Sequence, residues 1–162
     1  MLIFIVECLV FMVLFTIVVV TLCKVMKPID YVFDYPQPII DRCYDLGLIP
    51  SNKKVLGPKV YIKKGIAGIL LGVLLGCVVR FINHADTFLS GFLIAYALWL
   101  IVDWYDVLID IFWFCRDEYF VIPGTEDLTD SYHDYGYHVR ASARGMLLGL
   151  IAAIIAGIIV II

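Results

Sequence analysis

Four stretches of this chain, residues 2–26, 65–82, 88–102 and 145–162, are apolar almost throughout, and charge is crowded into the segments between them. A helix needs roughly 17–25 apolar residues to cross a hydrocarbon core. In lipid, every backbone amide must be paired within its own helix or within a closed barrel. Barrel strands alternate apolar and polar side chains, and none of these runs alternates. The pattern predicts an all-α polytopic membrane protein, a single domain over 1–162. Its four transmembrane helices are expected at about 2–26, 65–82, 88–113 and 145–162, joined by two longer loops, 27–64 and 116–144, and a short turn near 83–86.

Beyond residue 102 the third stretch continues with Asp103, Asp106 and Asp110. At 100° per residue these fall at about 0°, 300° and 340°, one stripe of a helix. Either the stripe faces water, leaving Trp104, Val107, Leu108 and Ile111 against apolar surroundings, or it is turned inward and makes a site.

The longer loops add two further helices. In the first, Pro36 and Pro38 open a short helix that Gly47 and Pro50 close. Ile39, Ile40, Cys43 and Leu46 share one face of it and Asp41, Arg42 and Asp45 the other, which predicts an amphipathic helix on the inner leaflet. In the second loop a helix is expected to start near Thr129 and run unbroken into the fourth membrane segment as a cytosolic extension, with Asp134 and His138 on one face. At 1.5 Å per residue, Asp106, Asp110 and His138 lie at overlapping depths just inside the membrane boundary, with Asp103 and Asp134 close by.

Carboxylates beside an imidazole suit three uses. They can bind a divalent metal ion. They can carry protons. They can also hold an amine or lipid headgroup, for which Trp99, Trp104 and Trp113 would supply aromatic faces. The leading expectation is a cytosol-facing site for a cation or polar headgroup, with metal-dependent chemistry within its reach.

Small residues suggest an alternative. Gly68, Gly72 and Gly76 recur every four residues in the second helix, and Gly145, Gly149, Ala153 and Gly157 in the fourth. Such spacing lets helices approach closely where no hydrophobic effect drives them together. The two stripes are expected to pack on each other, or each on a second copy. On that reading the chain is a non-catalytic membrane subunit or assembly factor, in a homo-oligomer or larger membrane complex. A small proton or ion conduit is a third reading.

Composition agrees with the pattern: mean hydropathy is +0.99 and 63% of residues are hydrophobic, outside the range of water-soluble domains. Of the twelve lysines and arginines only Arg80 lies near the short turn, so the positive-inside rule puts both longer loops in the cytosol and both termini outside. Lys53, Lys54, Lys59, Lys63 and Lys64 are expected on anionic lipid headgroups, each contributing about 1 kcal/mol. No aromatic platform lies among them, which argues against nucleic acid. The first segment has no basic leader or cleavage motif and reads as a permanent anchor, with Glu7 reaching the headgroups. The five cysteines show no C-x-x-C spacing and read as small buried hydrophobes. No H-E-x-x-H, G-x-S-x-G or phosphate-loop motif occurs, and the acidic run lacks the second motif a prenyl-diphosphate site requires.

Overall fold

The structure is a computed structural model that describes residues 2–50 and 58–162, the side chains of 58–64 and of Ala67 excepted. Lys53 and Lys54, and the side chains of Lys59, Lys63 and Lys64, expected on lipid headgroups, lie outside the described residues. Among the described residues every regular element is helical. The main helices are α1 (Leu2–Val25), α2 (Gln37–Asp45), α3 (Pro58–Phe81), α4 (Phe88–Ile109), α5 (Thr129–Tyr132) and α6 (Tyr135–Ile161). A 3₁₀ stretch covers Pro28–Asp34, a π-helical turn prolongs α4 over Asp110–Phe114, and a 3₁₀ turn covers Glu118–Phe120.

Three segments, Leu2–Val25, Phe88–Phe114 and Thr129–Ile161, are long and apolar enough to cross a membrane, and Gly68–Phe81 in α3 is a shorter apolar stretch. On α1, Leu9, Val13 and Ile17 are all more than half exposed. A helix apolar all round with exposed side chains is stable in lipid and not in water, so this is a membrane protein.

The chain divides into two compact units. The first comprises Met1–Val13, Leu56–Tyr105 and Ser142–Ile162. Its core joins Leu75 and Val79 of α3, Ala95 and Leu98 of α4, Ala153, Ala156 and Val160 of α6, and Cys8 of α1. The two glycine stripes do not meet each other. A Cβ on Gly72 would sit 3.0 Å from the Ala152 carbonyl and Ile155, and one on Gly76 3.0 Å from the Ala156 Cα. Gly68 has open space, with nothing within 4 Å. The α6 stripe packs on α4 instead: Gly157 against Phe88, Gly149 against the Trp99 indole, and Gly145 against the Asp103 carboxylate. The physical reason is bulk, since α4 presents large side chains that only glycine can accept, whereas α3 brings its own glycines and needs no partner gap.

Glu7, expected at the headgroups, is 7% exposed and accepts a 2.8 Å hydrogen bond from Asn83 Nδ2. The amide offers it a donor that lipid cannot. Arg80 donates to the Val160 carbonyl near the end of α6, satisfying one of the acceptors a helix end leaves open. Helix α3 ends at Phe81, before His84, which lies in the link with a left-handed φ of 54°.

The second unit, Leu14–Val55 with Asp106–Ala141, contains most of what sequence alone reads as two loops. Its core is Val32, Ile39, Ile40, Cys43, Ile49, Ile122 and Tyr132. The apolar face of α2 is therefore covered by protein: Ile39 and Cys43 are fully buried, and only Leu46 stays half exposed. Packing on Ile122 and Tyr132 thus takes up most of the face that an inner-leaflet placement would turn to lipid, leaving Leu46. Gly47, at φ +67°, closes α2, with Leu48 N–H bonded to the Cys43 carbonyl and Gly47 N–H to that of Tyr44. Tyr132 OH accepts from the Ile122 amide at 2.9 Å and lies 2.6 Å from Thr125 Oγ1, so the polar atoms in this core are paired.

Arg42 grips Asp127 through two 2.9 Å hydrogen bonds, tying α2 to the second loop segment. The guanidinium holds the Asp127 carboxyl below its usual value of 3.8. A depressed carboxyl contributes stability that is present above the unfolded value and lost as pH falls through the folded one. The second unit should therefore lose thermal stability as pH falls below about 4. Asp127→Asn should flatten that part of the curve, as should high salt, because the pair is exposed and screened. Melting curves of the two proteins across this range check it.

Candidate functional site: an acidic, tyrosine-lined cavity

Helix α4 carries its polarity inside out over its last turns. Trp104, Leu108 and Phe112, four residues apart, are 42%, 51% and 64% exposed. Asp103, Asp106 and Asp110, on the other side, are each partly buried. A helix emerging into water would show the reverse. The acidic stripe is therefore turned inward.

Its members reach different places. Asp103 belongs to the first unit, where Ser142 Oγ donates to its Oδ2 at 2.5 Å beside Gly145. Asp106 and Asp110 line a cavity of about 330 Å³ in the second unit, together with Asp34, Tyr31, Tyr35, Tyr132, Tyr137, Phe114, Cys115 and His138. Among these described lining residues there is no lysine or arginine. Asp110 Oδ2 and His138 Nδ1 are 2.7 Å apart, with side chains only 19% and 14% exposed. Cys115, itself buried, lines the same cavity.

Asp134 is a cap and not a wall of this cavity. The helix expected to run unbroken from Thr129 stops at Tyr132 and restarts at Tyr135. Asp134 fills the break, accepting from the Tyr137 amide at 2.9 Å and from Arg140 at 3.2 Å. An aspartate at this position satisfies an unpaired amide of the first turn, which an uninterrupted helix would not have had.

The aromatic faces also differ from expectation. Trp99 packs on Gly149, Trp104 is exposed, and Trp113 Nε1 donates to Asp117 at 3.1 Å, so the aromatic rings at the cavity are tyrosines and Phe114. Burial pushes the phenols of Tyr31 and Tyr35 well up from their usual value, so both stay neutral. Tyr35 is held by a 2.9 Å hydrogen bond to the Phe120 carbonyl. Sequence reasoning missed Tyr31, Asp34 and Tyr35. The alternation of aspartates and aromatics from Asp30 to Tyr35 was the available signal, but nothing in it said that this segment packs beside α4.

Among the described residues no group of three or more histidine, cysteine, aspartate or glutamate side chains is placed to hold a metal ion. Asp103 and Asp134 are engaged elsewhere, and Asp110 and His138 spend their nearest atoms on each other. A second cavity of about 560 Å³, on the other side of Cys115 and Phe114, includes Arg116, Asp117, Glu118, Glu126 and His133. It combines three carboxylates with one guanidinium and the His133 imidazole.

The chain matches no family model, no curated protein and no solved structure.

Proposed function

We propose that this membrane protein binds the alkylammonium group of an amine or lipid headgroup in the tyrosine-lined cavity. One observation carries the reading: α4 turns the carboxylates of Asp106 and Asp110 into a partly open cavity lined by tyrosine rings, with no lysine or arginine among its described lining residues. Carboxylates offer a cation charge, aromatic faces offer it their quadrupole, and each such contact strengthens as water is excluded. The volume suits a headgroup-sized ligand.

Four crossings fit this reading. Helix α3, at 24 residues, is about 36 Å long, enough to span even though only part of it is strongly apolar. The lysine and arginine distribution supports a cytosolic second unit and outward termini. On that orientation the cavity belongs to the cytosolic side.

Choline titrated onto the purified full chain in detergent should bind saturably. Asp106→Asn together with Asp110→Asn should weaken it about 10–100-fold, the effect of losing about 1.4–2.8 kcal/mol of charge-assisted contact. Equal affinity in the double variant and the wild type would remove this proposal.

A subunit that assembles through small residues is a second reading. It is favoured by Gly68, which has nothing within 4 Å of its Cβ position among the described residues.

A further inference from the structure

Helix α1 carries one acidic residue, Glu7, and the residues that precede it in the helix are all apolar. A buried carboxylate needs a positive partner, because an unpaired ion in apolar surroundings costs far more than a lost hydrogen bond. Glu7 is 7% exposed, yet it makes no ion pair among the described residues. Arg80, in the last turn of α3, is engaged with the Val160 carbonyl instead. What reaches Glu7 is a neutral amide: Asn83 Nδ2 donates to its Oε2 at 2.8 Å. Two oxygens of this pair, Glu7 Oε1 and Asn83 Oδ1, are buried with no hydrogen-bond partner among the described residues. The bond between the two side chains, with their covalent geometry, keeps these oxygens within about 7 Å of each other. Turning the amide over would not relieve them, since it would set Oδ1 against a carboxylate oxygen.

We propose that Glu7 and Asn83 bind a monovalent alkali cation of the sodium class. Both orphan atoms are acceptors, so what they lack is a positive group, and an ionisable side chain inside a membrane bundle is where such a group is held. One carboxylate is balanced by one positive charge, whereas a divalent ion would leave an excess buried. Carboxylate and amide oxygens are hard donors, suited to alkali ions and not to soft metals. Asn83 lies in the link between α3 and α4 and is only partly buried. An ion entering there keeps some of its water, which completes the coordination that two side chains leave open. The bound ion clamps the start of α1 to this link. Cys8, next to Glu7, already joins Leu75 and Val79 of α3 in the core of the same unit. Neither Glu7 nor Asn83 lines the acidic cavity, so the site is independent of the function proposed above.

The full chain in detergent is melted while sodium chloride replaces N-methylglucamine chloride stepwise at constant ionic strength. The melting temperature should rise saturably with sodium, because an ion that binds the folded state alone stabilises it. Glu7→Gln should fold, since its carboxamide puts an N–H donor where the orphan oxygen stood, and should lose the sodium response. Asp106→Asn together with Asp110→Asn should keep that response, which separates this site from the acidic cavity. Equilibrium binding of radioactive sodium to the wild type, which needs no variant, should saturate at one ion per chain. Its affinity should fall at least about tenfold in Glu7→Gln, the loss of one charged ligand. A wild type that shows no saturable sodium binding would overturn the site, leaving a proton to satisfy Oε1. A sodium response that survives Glu7→Gln, or that disappears with the two aspartates, would overturn it as well.

Discussion

Phe120→Ala is expected to remove about 3–5 kcal/mol from the second unit, the range for emptying a buried aromatic site. Phe120 is 1% exposed and heads the fully buried side chains. Its ring packs at 4.3 Å between centroids against Phe114 and edge-on at 5.6 and 5.2 Å against Trp113 and Tyr119. Its carbonyl accepts the Tyr35 hydroxyl. Phe114 and Tyr35 both line the candidate cavity, so the alanine variant should lose choline binding together with stability. Denaturant titration followed by tryptophan fluorescence in a chain with Trp99 and Trp104 replaced by Phe reads the first effect and choline titration the second. Phe120→Leu, which refills most of the space, should cost clearly less. A loss below about 1 kcal/mol in Phe120→Ala would mean that the ring cluster does not hold this unit together.

Gly76→Leu is expected to force α3 and α6 apart. A Cβ alone would stand 2.7 Å from the Ile159 Cβ and 3.0 Å from the Ala156 Cα, and neither backbone nor a β-branched stem can step aside. Overpacking of this kind costs about 1–3 kcal/mol where the surroundings relax, and more where they do not. Gly68→Leu, in open space, should change stability by less than about 0.5 kcal/mol. Thermal melts of both variants separate the two positions. Crosslinking of the same pair addresses the subunit reading. If Gly68 forms a seam with a second copy, Gly68→Leu should abolish the dimer while leaving the monomer intact.

The inward stripe on α4 shows where reading the sequence reached its limit. The spacing of Asp103, Asp106 and Asp110 places them on one helical face whatever surrounds them, because that follows from helix periodicity alone. Which way the face points depends on neighbours far along the chain, among them Ser142 for Asp103 and His138 for Asp110. Asp134 makes the same point in reverse. Its spacing to His138 matches a shared helix face, but the helix stops at Tyr132 and Asp134 is consumed in restarting it at Tyr135.

From sequence alone, then, came the helical membrane character, set by the length and uniformity of the apolar runs, which lipid forces into helices because no water is present to satisfy the backbone. The tertiary structure alone decided that most of the two polar segments fold into one unit with its own core, since Ile39, Ile122 and Tyr132 carry no label of their partners. It likewise decided that a widened helical turn sets Cys115 on the same cavity as the carboxylate of Asp110. Local periodicity is written in neighbouring residues, whereas a cavity is made by side chains distant in the chain that meet only once the backbone has packed.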